Sequence, residues 1–211
     1  MGPMIGEGES GVIHVRIRTP DMEACEPGMT TPAADAEDRK LLAALALALV
    51  DQPRASLQEL ARAIGISKAT LYRFCRTREQ LIERLMQHCT QVFSDAIRDA
   101  SLDTAAVPDA LRQLTASHLE HRELTAFLMY YWKDALRDPC VEEGWDAALD
   151  AFFLRGQQEG VFRIDIPAPA LAEIWVSMVI GLVDAERRGR VARAGLPGLL
   201  ERAFLQGTAR Q

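Results

Sequence analysis

Between Ser56 and Arg78 the chain reads SLQELARAIGISKATLYRFCRTR, and no other segment restricts the fold as strongly. Ser56 precedes Glu59 at the spacing where a serine oxygen accepts from an early helical N–H and the glutamate reaches back to the serine N–H. Further helix starts stand at Ser67 and at Thr77, the latter followed by Gln80 at the same spacing. After the first start, Leu57, Leu60, Ala61 and Ile64 recur as one buried helical face, and Gly65 then supplies a position tolerant of positive φ. The spacing predicts two short helices joined by a tight turn that Ile66 plugs, the second ending near Phe74. A longer helix from Thr77 carries Leu81, Leu85, Val92 and Phe93 towards residue 100.

Helical periodicity extends through almost everything from Asp35 onward, with breaks at proline, glycine or aspartate clusters and no strand-like alternation. The expected class is all-α: an amino-terminal three-helix helix-turn-helix domain over 35–82, then a larger helical domain over 83–211. The first helix starts near Asp35, buries Leu41, Leu42, Leu45 and Leu49, and stops at Gln52 and Pro53. Later helices are expected at 108–120, 124–137, 141–159, 169–188 and 196–206. Residues 1–34, rich in Gly, Pro, Thr and Glu, read as a poorly ordered extension. Within them Ile13, Val15 and Ile17 alternate with polar residues at a strand's period but have no partner strand.

With 48% hydrophobic residues in a chain of 211, a real core is available and extensive disorder is excluded. The net charge of -6 opposes a nucleic-acid partner until its distribution is considered. From Arg54 to Arg78 six basic residues stand against Glu59 alone, a local charge of +5 that leaves -11 on the remainder. One small region is thus equipped to meet phosphates. Cys25, Cys75, Cys89 and Cys140 are widely spaced, show no C-x-x-C pair, and read as reduced cytosolic thiols. No apolar run reaches the roughly 18 to 20 residues of a membrane span and no signal peptide is visible, so a cytoplasmic protein without membrane contact is expected.

With Ile66, Leu71 and Phe74 turned inward, the second short helix exposes Lys68, Ala69, Thr70, Tyr72 and Arg73, donors and a small methyl suited to a major groove. The capped starts at Ser56, Ser67 and Thr77 add backbone N–H groups that suit phosphate oxygens. Double-stranded DNA is the partner these residues fit.

The run LARAIGISKATLYRFCRTREQLI, Leu60 to Ile82, resembles the amino-terminal signature of the TetR/AcrR family of repressors. The likeness lies in an apolar-Ala pair, a Gly-apolar-Ser turn, a Thr-Leu-Tyr run and a basic residue opening the next helix; the rest of the chain matches in helicity and length. The resemblance implies that Tyr72 and Arg78 hold phosphates, that Ser56 and Gln58 lie near the backbone or groove edge, and that Lys68, Thr70 and Arg73 face bases. It also implies a homodimer on a palindromic operator, released when a small apolar effector repositions the helix opened by Arg78. Two departures stand out: Cys75 occupies a place usually aromatic, and Arg78 one usually lysine. An alternative is a helix-turn-helix regulator without an effector, governed by a protein partner or by Cys75 oxidation; another is a helical enzyme or scaffold with a vestigial amino-terminal domain.

Large apolar groups crowd the carboxy-terminal body, beginning with Phe-Leu-Met-Tyr-Tyr-Trp from Phe127 to Trp132. Phe93, Phe127, Tyr130, Tyr131, Trp132, Trp145, Phe152 and Trp175 are candidates to line an effector pocket, against the ordinary alternative of core packing. The helix at 169–188 is apolar nearly all round and requires cover on both sides. Pairing it and the last helix with symmetry mates supplies that cover, with Leu171, Ile174, Met178, Leu182, Leu199 and Phe204 at the dimer interface and Gly181 allowing a close crossing. His118 and His121 are expected on a solvated face without a metal, since no third ligand stands near them. No acid–base or nucleophile pattern suggests a catalytic residue, and no cofactor is expected.

Overall fold

The computed structural model describes residues 32–135 and 139–209, apart from the side chains of 32–36, 132–135 and 139–143. The alternating stretch around Ile13 lies outside these residues. The elements are α1 (Pro32–Asp51), α2 (Leu57–Ala63), α3 (Lys68–Phe74), α4 (Arg78–Asp99), α5 (Val107–Glu120), α6 (Arg122–Ala135), α7 (Pro139–Gln158), α8 (Ala168–Arg187), a 3-10 turn (Arg193–Gly195) and α9 (Leu196–Thr208). The fold is all-α, and the only β-type pairing among the described residues is an isolated bridge between Phe162 and Ala209.

Local chemistry sets the first boundaries. Ser56 Oγ accepts from Glu59 N at 3.3 Å while Ser56 N donates to Glu59 Oε2 at 2.8 Å, so the full capping box opens α2. Gly65 sits at φ +75° in the turn to α3, a region costly for a residue with a Cβ. At the start of α4, Thr77 Oγ1 accepts from Gln80 N, but the Gln80 side chain accepts from Arg76 N, one residue earlier than a capping box requires.

α4 has 22 residues and is therefore about 33 Å long, enough to join two apolar cores. The first core packs Leu45 and Leu49 of α1, Leu60 of α2, Leu71 of α3 and Leu81 and Leu85 of α4 against Leu124, Phe127, Leu128 and Tyr131 of α6. In the second, Ala96 of α4 meets Leu111 and Leu114 of α5, Phe152 and Phe153 of α7, Leu171 and Trp175 of α8 and Phe204 of α9. Phe162, in the α7–α8 loop, enters this second core fully buried, and full burial of a phenylalanine contributes about 1.5 to 3 kcal/mol. Gly156 makes room for it: a Cβ there would lie 2.4 Å from the Phe162 ring.

Two sequence expectations about α8 and α9 need correction. Leu171 and Phe204 are 0% and 2% exposed within one chain, so they fill its own core and cannot reach a partner. The span Ala168–Arg187 is long and apolar enough, by length and composition, to cross a membrane; Glu173 interrupts the run and hides this from a count of consecutive apolar residues. One side of the helix, with Leu171, Trp175 and Val179, packs into the second core, and Val183 near its end joins the first. Ile174 remains exposed; Met178 and Leu182 are half-buried against the second core, and Leu199 of α9 is half-buried. A Cβ at Gly181 would meet nothing within 4 Å, so this glycine is not needed for any contact inside the chain.

Candidate nucleic-acid interface and effector cavity

α3 turns Leu71 into the first core at 0% exposure and leaves Lys68, Ala69, Tyr72 and Arg73 exposed. The Lys68 ammonium lies 5.3 Å from the Tyr72 ring centre, which sets these two side chains together on one surface. Neither the Arg73 nor the Gln58 side chain hydrogen-bonds to any described residue, and both are exposed. Ser67 Oγ accepts from Thr70 N at 3.0 Å, and its 2.8 Å bond to Thr70 Oγ1 engages the half-buried Thr70 hydroxyl locally. Ser56 and Ser67 are exposed at the starts of their helices. Hydrogen bonding from Ser56 keeps the Glu59 carboxyl below its ordinary pKa, so the acid in this surface stays ionised as a cap.

Arg78 does not point where the family resemblance implies. Its Nη2 donates to the Pro53 carbonyl at 2.6 Å and to the Tyr131 hydroxyl at 3.0 Å, with the guanidinium 5.9 Å from the Tyr131 ring centre. The residue is half-buried and its Nε is buried without a partner. It ties the α1–α2 turn and the start of α4 to α6, because a carbonyl and a phenol converge on it there.

Arg84 of α4 stands near Cys75 at the end of α3. Its guanidinium stacks 3.9 Å from the Phe74 ring centre and donates to the Phe74 carbonyl at the end of α3. Cys75 is 4% exposed, and burial pushes its thiol pKa up against the pull of Arg84. Cys89 is fully buried, and burial likewise raises its thiol.

A cavity of about 310 Å³ lies within the helical body, bounded by α4, α5, α6, α7 and α8. Of the aromatic candidates, Phe93, Trp145 and Trp175 line it. Phe127, Tyr131 and Phe152 are buried in the cores away from it, while Tyr130 is 45% exposed near Arg187. The Trp132 side chain is outside the described residues. Ring size selected these positions in the sequence, but on α6 the neighbouring Thr125, Leu128 and Met129 face the cavity.

His118, expected on a solvated face, is a cavity residue. Its ring stacks on Phe93 with centroids 4.6 Å apart and meets Trp175 edge-on at 5.2 Å. Burial holds its pKa down at about 4, overriding the bond to the Leu114 carbonyl. That carbonyl only accepts, so Nδ1, 3.0 Å away, carries the proton and Nε2 keeps its lone pair. The two tryptophans are fixed through their indole N–H groups: Trp145 donates to Ser94 Oγ at 3.0 Å and Trp175 to Thr115 Oγ1 at 3.2 Å. Among the described residues, no group of three or more His, Cys, Asp or Glu could hold a metal ion.

A basic helix-turn-helix head, joined by one long helix to a helical body with an aromatic-walled cavity, defines a DNA-binding transcriptional regulator. No model of a protein family matches the chain. Over 176 residues it is 48% identical to the HTH-type transcriptional regulator NfxB of Pseudomonas aeruginosa, covering 82% of this chain and 94% of that protein. It is 31% identical over 125 residues to the HTH-type transcriptional repressor LfrR of Mycolicibacterium smegmatis, 59% of this chain and 66% of that one. The structure of the TetR-like LfrR in complex with proflavine superposes with a TM-score of 0.61 at 24% identity, covering 83% and 97% of the two chains. The ketosteroid transcriptional regulator KstR2 of Mycobacterium tuberculosis gives 0.67 at 17% identity over 82% and 96%. The chain belongs to the TetR/AcrR family of transcriptional regulators, which are not enzymes.

Proposed function

We propose that the protein is a repressor that holds a palindromic operator as a homodimer and leaves it when a small, largely apolar molecule fills the cavity. The observation that carries this reading is the shared use of α4: Phe93 and Ile97 line the cavity, and the same helix begins beside α3 at Arg78. A second connection runs along α6, where Leu128 and Met129 line the cavity and Tyr131 bonds Arg78. A molecule that displaces either helix changes the position of α3.

On the operator, Lys68, Thr70 and Arg73 read base edges, Ala69 contributes its methyl, Tyr72 holds a phosphate, and Ser56, Gln58 and Ser67 lie along the backbone. The exposed Ile174, with the half-buried Met178, Leu182 and Leu199, meets its counterpart on a second copy, which keeps α8 from water and places two α3 helices about one DNA turn apart. This cover, together with the family's DNA partner, supports a cytoplasmic protein. The complex of LfrR with proflavine supports small-molecule occupancy of this fold. Thiol control has less support, since Cys75 and Cys89 are buried with raised pKa values.

Selection of bound sequences from random duplex DNA tests the reading, with a palindrome of two half-sites expected. An asymmetric or absent motif would refute it. Met178→Glu, which buries an unpaired charge between copies, should give monomers by sedimentation, and a persisting dimer would remove α8 from the interface.

A further inference from the structure

The last residue of α1, Asp51, is an acid at a helix C-terminus, where the helix dipole disfavours negative charge, and no basic residue stands in the last turn of α1. Its cation comes from the body instead. Arg187, the last residue of α8, places Nη1 2.7 Å from Asp51 Oδ1 across 136 positions of chain. Arg187 Nη2 donates to Asp184 Oδ1 at 3.0 Å and to the Tyr130 hydroxyl at 3.4 Å. Arg188 Nε holds the other Asp184 oxygen at 2.7 Å, so the acid that steadies Arg187 is itself fixed. Two residues beyond Asp51, the Pro53 carbonyl accepts from Arg78, which also meets Tyr131. The α1–α2 turn is thus gripped on either side of Gln52 by two arginines, each meeting one of two adjacent tyrosines of α6. Beside Arg187 a cleft of about 220 Å³, lined among others by Leu47, Ala126 and Val183, lies between α1, α6 and α8, so the ion pair bridges a place where side chains do not close-pack.

We infer that Arg187 is a positioning residue for operator binding: through Asp51 it holds the head at one angle on the body and so fixes the spacing of the two α3 helices. This rests on the reading of the protein as a dimer on a palindrome. With Asp51 48% and Arg187 23% exposed, the pair contributes little to stability, so its effect on orientation separates from any effect on folding. The helix that carries it also walls the cavity, through Trp175, Val176, Val179 and Ile180. Arg187 stands seven residues beyond Ile180, two turns and about 10.5 Å further along the same side of α8. A shift of α8 at the cavity therefore reaches the head at Asp51 without passing through α4 or α6.

Operator spacing provides the test, with the palindrome selected by the unaltered protein and the same duplex carrying one base pair inserted between its half-sites. The insertion moves the half-sites apart by about 3.4 Å and about a tenth of a turn. A dimer with fixed heads cannot seat both, so the unaltered protein should bind the inserted site about 100-fold more weakly. In the full-length variants Asp51→Asn and Arg187→Gln that ratio should narrow to about tenfold. The double variant should match the single ones, because the same interaction is lost in all three. Thermal midpoints should stay within about 4 °C of the unaltered protein, as for an exposed ion pair, and Asp51→Asn, which leaves α8 intact, carries the test should Arg187→Gln unfold. A ratio still near 100-fold in Asp51→Asn, whatever the loss of overall affinity, makes the pair merely structural and overturns the assignment, while the palindrome and the dimer stand. If the unaltered protein binds both spacings alike, the dimer reading and the role of Arg187 fall together.

Discussion

Replacing Arg78 with alanine should weaken the fold without changing how DNA affinity responds to salt. Its Nη2 makes two hydrogen bonds, to the Pro53 carbonyl at 2.6 Å and the Tyr131 hydroxyl at 3.0 Å. Bonds from a charged donor contribute about 1.5 to 3 kcal/mol each. Against them stands the unpartnered buried Nε and the desolvation of a half-buried guanidinium, so the net loss is about 2 kcal/mol. With a urea slope near 2 kcal/mol/M, the unfolding midpoint should fall by about 1 M. On the DNA side, each phosphate contact adds about 0.9 to the slope of log affinity against log salt. An inward-tied Arg78 makes no such contact, so the lines for Arg78→Ala and the unaltered protein should be parallel. A slope lower by about one with an unchanged urea midpoint would refute the assignment and restore the phosphate role that the family resemblance implies. Tyr131→Phe isolates the bond: about 1 kcal/mol of stability should be lost, again with parallel lines.

Arg73→Ala should relax base preference at one position in each half-site, by about 1 to 3 kcal/mol, with non-specific binding nearly retained; an unchanged selected motif at uniformly lower affinity would make Arg73 a phosphate contact. Gly156→Ala drives a Cβ into Phe162 and should cost about 1 to 3 kcal/mol, read as a lowered thermal midpoint; an unchanged midpoint would show that the loop shifts freely. His118, with its folded pKa near 4 against 6.5 unfolded, is neutral in the fold, so its contribution is complete above about pH 6.5 and is lost as pH falls towards 4. The unfolding free energy from urea titrations should therefore drop across that window, by up to about 3 kcal/mol, and His118→Gln should flatten the drop to what remains from His88, whose pKa burial also lowers; an equally steep profile in the variant would place the titration elsewhere.

The helix-turn-helix was legible because its signals are local. Ser56, Ser67 and Thr77 cap helices within reach of their own side chains, and Leu71 faces inward by periodicity alone. The cavity was not legible, because its walls come from five helices that meet only in the fold. His118 and His121 are three residues apart, which suggested one shared face, but α5 packs so that His118 enters the cavity. Phe127 and Leu128 are neighbours, and only the placement of α6 decides which of them lines empty space. Arg78 shows the limit of resemblance: the signature gives the residue, while its partner Tyr131 lies 53 positions further on. Leu171 and Phe204 are apolar at helical spacing, and only the fold decides that their own chain rather than a second copy covers them.

The first core also determines what can be exchanged between related regulators. Its inner surface is completed by Leu124, Phe127, Leu128 and Tyr131, more than 40 positions beyond α3 and on a helix that also walls the cavity. The DNA-reading head is thus not a detachable cartridge. A hybrid that joins the segment before residue 83 to another relative's body inherits a socket shaped by a different sixth helix. If α3 reads the operator as proposed, new preferences can be installed on its exposed face one residue at a time, whereas whole-head transplants have to bring those four α6 residues with them.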